Sequence, residues 1–143
     1  MAEQSPALQT ARYQRPPMRG PRGIVRLGGT GDLNAVVQVL EAGARQGLHA
    51  HGNYDGVYLG LSGRTRFYGE GGAPFAEIGP NEIVIVPKGA TYGFEAIGGP
   101  AELFYVNAVD HAVEPAFFVR EAGAQERDYD LFDPDGRRMG AAG

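Results

Sequence analysis

The stretch GARQGLHAHGNYDGVYLGLSG, residues 43–63, decides the fold that we predict for this chain. Glycines divide it into short segments with strand character, and in a strand successive side chains point to opposite faces. His49 and His51 therefore share one face, and Leu48 lies on the other. Two imidazoles that converge on one point are what a metal site with nitrogen and oxygen ligands needs. We expect this pair to point into an interior cavity.

Similar short segments continue on both sides of this stretch, and helical periodicity is hard to find anywhere before residue 110. We predict strands over 24–27, 33–40, 47–51, 57–61, 65–68, 76–78, 83–86, 92–96, 102–108 and 115–119. The 23 glycines and 10 prolines follow no repeat, as tight turns between many strands require. The pattern predicts one all-β domain, a jelly-roll barrel over 24–119, with irregular arms over 1–23 and 120–143.

Composition excludes several classes of function. The chain has no cysteine, so any metal must be held by nitrogen and oxygen. Its net charge of −4, with both signs interspersed, argues against a nucleic-acid partner. No apolar run approaches the roughly 20 residues of a membrane span, so we expect a cytoplasmic protein. Arms outside a small barrel gain burial most readily on a second copy of the chain, which favours a homodimer. We expect its ligand or substrate to be a small molecule.

Two motifs in the chain resemble those of the cupin superfamily. Gly43, the pair His49 and His51, and Gly63 match the first motif residue by residue, but Gly56 stands where that motif has its glutamate. The second motif resembles residues 83–92, where Tyr92 occupies the usual histidine position. The resemblance implies a double-stranded β-helix. It also implies a metal site of two histidines, a glutamate and a third histidine, of which this chain keeps only the first two.

Two other residues are candidates to replace the missing ligands. Asp55 supplies a carboxylate if the turn before it shifts the register by one, and Tyr92 supplies a phenolate if a cation lowers its pKa. A site of His49, His51, Asp55 and Tyr92 would suit Fe, Mn or Zn. If neither substitute serves, two histidines bind metal weakly, and a protein without metal is the equal alternative.

Tyr58 lies two residues beyond Gly56 and faces the same way, as does a catalytic tyrosine of some cupin lyases. We therefore take Tyr58 and Tyr92 as candidate catalytic residues. The first functional hypothesis is a metal-dependent isomerase, lyase or cyclase that acts on a carbonyl compound. The second is a metal-free nucleotide-sugar ketoisomerase with His49 and His51 as the acid and base, and the third is a non-catalytic barrel that only binds a ligand.

Overall fold

The structure is a computed structural model that describes residues 6–121 and 129–142. Its regular elements are almost entirely strands, with one short 3₁₀-helix, Glu70–Gly72. The strands are β1 (Arg22–Gly29), β2 (Leu33–Leu40), β3 (Arg45–His51), β4 (Tyr54–Ser62), β5 (Thr65–Tyr68), β6 (Pro74–Ile78), β7 (Ile83–Val86), β8 (Tyr92–Ala96), β9 (Ala101–Val109), β10 (Phe117–Val119), β11 (Tyr129–Phe132) and β12 (Arg138–Ala142).

The strands form two sheets that face each other. The larger sheet has the order β12-β11-β1-β2-β9-β4-β7, and the smaller one has the order β10-β3-β8-β5-β6. Neighbours are antiparallel except β1 and β11, which run parallel. The predicted all-β, double-stranded β-helix is therefore confirmed. No helix among the described residues is long and apolar enough to cross a membrane.

Strand alternation separates an inner face from an outer face on the larger sheet. On β2, Val36 and Gln38 face inward, whereas Val37 and Val39 are buried on the outer face. The main core lies between the sheets and is built from aromatic and aliphatic side chains that include Tyr58, Phe67, Phe94, Leu40 and Leu103. Such large side chains contribute most of the hydrophobic stabilisation, because each removes a large apolar area from water.

The N-terminal arm covers the outer face of its own sheet. Tyr13 and Met18 pack against the outer core of Val25, Val37, Val39 and Phe132. Arg15 forms an ion pair with Glu41, directly after β2, with 2.9 Å between nitrogen and oxygen. The described part of this arm thus gains its burial within the chain, and the homodimer stays a prediction.

The C-terminal segment differs from the irregular arm that we predicted over 120–143. Residues 129–142 form β11 and β12, and β11 lies beside β1 in the larger sheet. The physical reason is side-chain alternation: Asp130 and Phe132 are buried, and Phe132 is 1% exposed in the outer core. Residues 1–5, 122–128 and 143, which belong to the predicted arms, lie outside the described residues.

A β-bulge in β3 sets the direction of the histidines. Gln46 pairs with Phe94 and His49 pairs with Tyr92, so three steps on β3 oppose two on β8. The extra residue lets Gln46 and His49 both face inward although they are an odd number apart. Gly93 accommodates the bulge, because a Cβ at this position would stand 2.7 Å from the Gln46 carbonyl oxygen.

Candidate active site

A cavity of about 340 Å³ lies between the two sheets. Its wall is mainly polar and aromatic, and it is contributed by strands of both sheets. The lining residues are Arg22, Ile24, Arg26, Gly28, Asn34, Val36, Gln38, Gln46, His51, Tyr54, Tyr58, Tyr92, Tyr105, Asn107, Tyr129 and Leu131. A pocket of this volume with several convergent polar groups is typical of a small-molecule site.

The two histidines lie side by side on β3, with ring centroids 5.0 Å apart. His51 lines the cavity, whereas His49 is fully buried beside it, between Tyr92 and Phe117 at centroid distances of 4.4 and 5.3 Å. His49 Nδ1 lies 2.7 Å from the carbonyl oxygen of Gly47, so Nδ1 carries the proton and donates. His49 Nε2 is then an acceptor, and it has no hydrogen-bond partner among the described residues.

Both imidazoles are neutral near pH 7. Burial lowers the pKa of His49 from 6.5 to about 4, against a smaller rise from its bond to Gly47, and the charge of Arg22 lowers it further. Burial also lowers the pKa of His51 to about 3, helped by His49. Removing a cation from water is costly, so the uncharged ring is the form that the barrel interior favours.

Tyrosines form a phenol cluster beside His51, made of Tyr54, Tyr58, Tyr92 and Tyr105. The Tyr58 and Tyr92 hydroxyls are 2.8 Å apart and join the two sheets. Tyr105 stacks on Tyr58 at a centroid distance of 4.1 Å, and the other three phenols lie close enough to influence its pKa. The Tyr54 hydroxyl lies 2.5 Å from His51 Nδ1. Phenols and imidazole therefore lie side by side along the cavity wall.

Burial keeps these phenols protonated. It raises the pKa of Tyr58 and of Tyr92 well above 10, and it raises the pKa of Tyr105 to about 12 against the opposite effect of its hydrogen bonds. A protonated phenol donates a hydrogen bond, and it is a poor metal ligand because a phenolate must first form. Burial thus favours Tyr92 as a hydrogen-bond donor over Tyr92 as a metal ligand.

The position of the missing glutamate is filled by another side chain. Gly56 faces inward on β4, and a Cβ at Gly56 would stand 2.6 Å from Tyr105 Cε1 and 2.7 Å from its hydroxyl oxygen. Real Cβ atoms do not approach other atoms so closely. The Tyr105 ring therefore occupies the space that a carboxylate side chain at this position would need.

Asp55 does not join the histidines. β4 begins at Tyr54, so the preceding turn does not shift the register, and Asp55 points outward between the inward positions Tyr54 and Gly56. Its side chain is exposed, and its Oδ1 accepts a hydrogen bond from the Lys88 backbone nitrogen at 2.8 Å. To replace the missing glutamate, as we predicted, Asp55 would have to lie on the opposite face of β4.

The residues present do not fit the divalent metal site that we predicted. His49 has the free acceptor nitrogen and the bonded Nδ1 of a metal ligand. Nevertheless, no group of three His, Asp or Glu side chains able to hold an ion occurs in the described part of the chain. Two imidazoles beside neutral phenols provide too few ligands, since catalytic zinc sites have three from the protein, so we derive no chemistry through a metal.

Most of the wall residues were missed in the sequence, and three of them show why. Tyr105 lies on the predicted strand 102–108, where the inward alternation of Leu103, Tyr105 and Asn107 was a usable signal. Gln38 gave a similar signal among the valines of β2. Arg22 was assigned to the arm, and only its pairing with Leu40 at the start of β1 places it in the barrel.

Comparison with known proteins gives the fold. No family model and no curated protein matches the chain. An uncharacterized conserved protein with a double-stranded β-helix domain from Klebsiella pneumoniae is 23% identical with a TM-score of 0.64, and the match covers 76% of this chain and 91% of that one. The cupin domain of Schizosaccharomyces pombe Cnp3 is 20% identical with a TM-score of 0.60, over 67% of this chain and 70% of that one.

The DMSP lyase DddQ from Ruegeria pomeroyi is also similar. It is 21% identical with a TM-score of 0.59, and the match covers 80% of this chain and 64% of that one. At these identities the likeness concerns the fold, and activity has to be argued from the site. The chain has the cupin fold.

Proposed function

We propose that this chain is a cupin-fold enzyme that moves a proton on a small carbonyl compound without a resident metal ion. The observation that carries the proposal is the phenol cluster, which meets the imidazole of His51 in one cavity. The cavity supplies hydrogen-bond donors for an oxygen and a neutral base for a carbon-bound proton. A lyase among the similar structures agrees with such chemistry on this fold.

The acceptor for the proton is His51. Burial alone makes its imidazole a weak base, but the negative charge that develops on the enolate oxygen raises the pKa of His51 as the proton arrives. In the tautomer in which Nδ1–H donates to the Tyr54 oxygen, Nε2 carries a free lone pair. A proton beside the substrate carbonyl moves to Nε2, and the electron pair of the broken C–H bond shifts until the carbonyl oxygen is an enolate oxygen. Return of the proton to another carbon gives an isomer, whereas loss of a β-substituent gives an elimination product.

The phenols stabilise the enolate oxygen. The Tyr58 and Tyr92 hydroxyls are bonded to each other, so one donates to the other and the second is left to donate to the enolate oxygen; Tyr105 packs beside them on the neighbouring strand. Donors fixed in a dry cavity stabilise a developing negative charge without reorganisation, and one such donor is worth roughly 10²- to 10³-fold in rate. Stabilising the enolate oxygen in this way requires no metal ion at the histidines.

Deuterium exchange tests the proposal. Purified protein is incubated in D₂O with enolisable carbonyl compounds such as pyruvate and hydroxyacetone, and loss of the α-proton signal is followed by NMR. We expect exchange above the buffer rate, and a drop of roughly 10²-fold or more in His51→Gln and in Tyr58→Phe.

Matched controls use side chains of the same type away from the cavity. His111 is exposed and bonds to Asp32 on the surface, and Tyr68 bonds to Glu95. His111→Gln and Tyr68→Phe should keep the wild-type exchange rate. The proposal is wrong if no compound exchanges above buffer, or if His51→Gln and Tyr58→Phe, both folded, exchange as fast as their controls.

A further inference from the structure

Within the described ranges, 6–121 and 129–142, the charged groups in the cavity wall are all positive. Arg22 and Arg26 line the cavity, and among the described residues no aspartate or glutamate does. The chain as a whole carries a net charge of −4, so this sign is opposite to that of the protein. A cavity with a low-dielectric wall and one sign of charge attracts ligands of the other sign.

Arg22 is the buried member of the pair. It is 4% exposed, and its guanidinium carbon lies 6.0 Å from the Phe94 ring centroid and 5.9 Å from that of Tyr129. Its charge reaches the site, because it adds to the lowering of the His49 pKa by burial and opposes the rise that burial causes in the pKa of Tyr58. The planar fork of a guanidinium binds a carboxylate through two parallel hydrogen bonds.

A second feature of the wall indicates a hydroxyl on the ligand. Gln38 is 5% exposed, lines the cavity, and its Nε2 lies 3.5 Å from the Tyr58 hydroxyl. Gln38 Oε1 is buried and has no hydrogen-bond partner among the described residues. A buried acceptor of this kind is costly unless a donor reaches it. An O–H group of a bound molecule would satisfy it.

We propose that the cavity binds a small hydroxy- or keto-carboxylate, with the carboxylate toward Arg22 and Arg26 and a hydroxyl toward Gln38. The inference rests on the proposed function for the reacting carbonyl, and it adds the class of substrate. A carboxylate next to the carbonyl places the negative charge near the arginines while the oxygen to be polarised faces the phenols. The volume of about 340 Å³ suits a molecule of monosaccharide size or smaller.

Calorimetry with charge-matched pairs tests the inference. The probes are pyruvate and hydroxyacetone, glycerate and glycerol, and glucuronate and glucose, at one ionic strength. We expect at least one acid to bind roughly 10- to 100-fold more tightly than its neutral partner. We expect binding of that acid to weaken at least about 10-fold in Arg26→Gln and in Gln38→Glu, the latter through charge repulsion.

Arg22→Gln is the stronger variant, and its folding is checked by circular dichroism because Arg22 is buried. Arg26 is exposed, so Arg26→Gln tests the charge without disturbing the core. Arg64→Gln is the control, since Arg64 pairs with Glu77 at the surface. Equal binding of acid and neutral partner, no binding by any acid, or undiminished binding in folded Arg22→Gln and Arg26→Gln would overturn the inference.

Failure here is distinguishable from failure of the proposed function. A keto acid such as pyruvate that binds but exchanges no deuterium supports the carboxylate site and contradicts the proton transfer. A neutral ketone that exchanges while no acid binds does the reverse.

Discussion

Acid should destabilise this protein through its buried histidines. Burial lowers the pKa of His49 to about 4, whereas the unfolded chain has the ordinary value of 6.5. Between these two values the unfolded state binds more protons than the folded state, so the free energy of unfolding falls as the pH falls. The free energy of unfolding is therefore not reduced by His49 above pH 6.5, and it falls progressively as the pH drops toward 4.

The expected magnitude follows from the size of the shift. Each pH unit below 6.5 costs about 1.4 kcal/mol per histidine until the folded-state pKa is reached. His49 is fully buried, so it alone should lower the free energy of unfolding by about 2 kcal/mol between pH 7 and pH 5. His51, whose pKa is lowered to about 3, acts in the same direction.

Urea unfolding followed by far-UV circular dichroism at several pH values between 7 and 5 measures this slope. His49→Gln removes one titrating group, so its free energy of unfolding should depend less steeply on pH, whatever its absolute stability. His111→Gln is the control, because His111 is exposed, and it should keep the wild-type slope. A wild-type stability that stays flat over this range, or an unchanged slope in His49→Gln, would refute the reasoning.

Further substitutions test the packing around the site, each by thermal or urea unfolding. Gly56→Ala should lose about 1–3 kcal/mol because its Cβ meets the Tyr105 ring, and full stability would contradict that contact. Gly93→Ala should lose a similar amount of stability, because its Cβ would meet the Gln46 carbonyl oxygen. Gly99→Ala is the control, since Gly99 has open space around it, and it should keep its stability. Phe132→Ala should cost about 3–5 kcal/mol if β11 belongs to the barrel, and a loss under about 1 kcal/mol would place it outside. Elemental analysis of protein purified without a metal-affinity tag should find well below one Fe, Mn or Zn per chain, and a full equivalent would contradict the donor set described above.

Local patterns predicted the barrel and the placement of the histidine pair. Strand alternation put His49 and His51 on one inward face, and the glycine-bounded segments matched most strands. The β-bulge before His49 could not be predicted, because it depends on how closely β3 approaches Gly93 on β8. Only the three-dimensional pairing reveals that approach.

Distant pairings account for the differences at the site. The Tyr105 ring leaves no space for a side chain at Gly56. The sequence around each residue does not predict this contact, because the two residues are far apart in the chain. The prediction for Asp55 was wrong because it assumed that the preceding turn shifts the register. Strand β4 starts at Tyr54 and keeps its alternation, so Asp55 points outward. Strand β11 joins β1 in parallel over a long separation, and such non-local pairing leaves little trace in local propensity.

The contact between Gly56 and Tyr105 also restricts how this site can change over evolutionary time. Gaining a carboxylate by Gly56→Glu alone would drive the new side chain into the phenol ring, and losing the ring first would break the phenol cluster. Either single step passes through a weakened protein, because overpacking and lost hydrogen bonds each lower stability. Conversion between this phenol site and a carboxylate site therefore needs paired changes at Gly56 on β4 and Tyr105 on β9. A barrel with one kind of site does not reach the other by a single substitution.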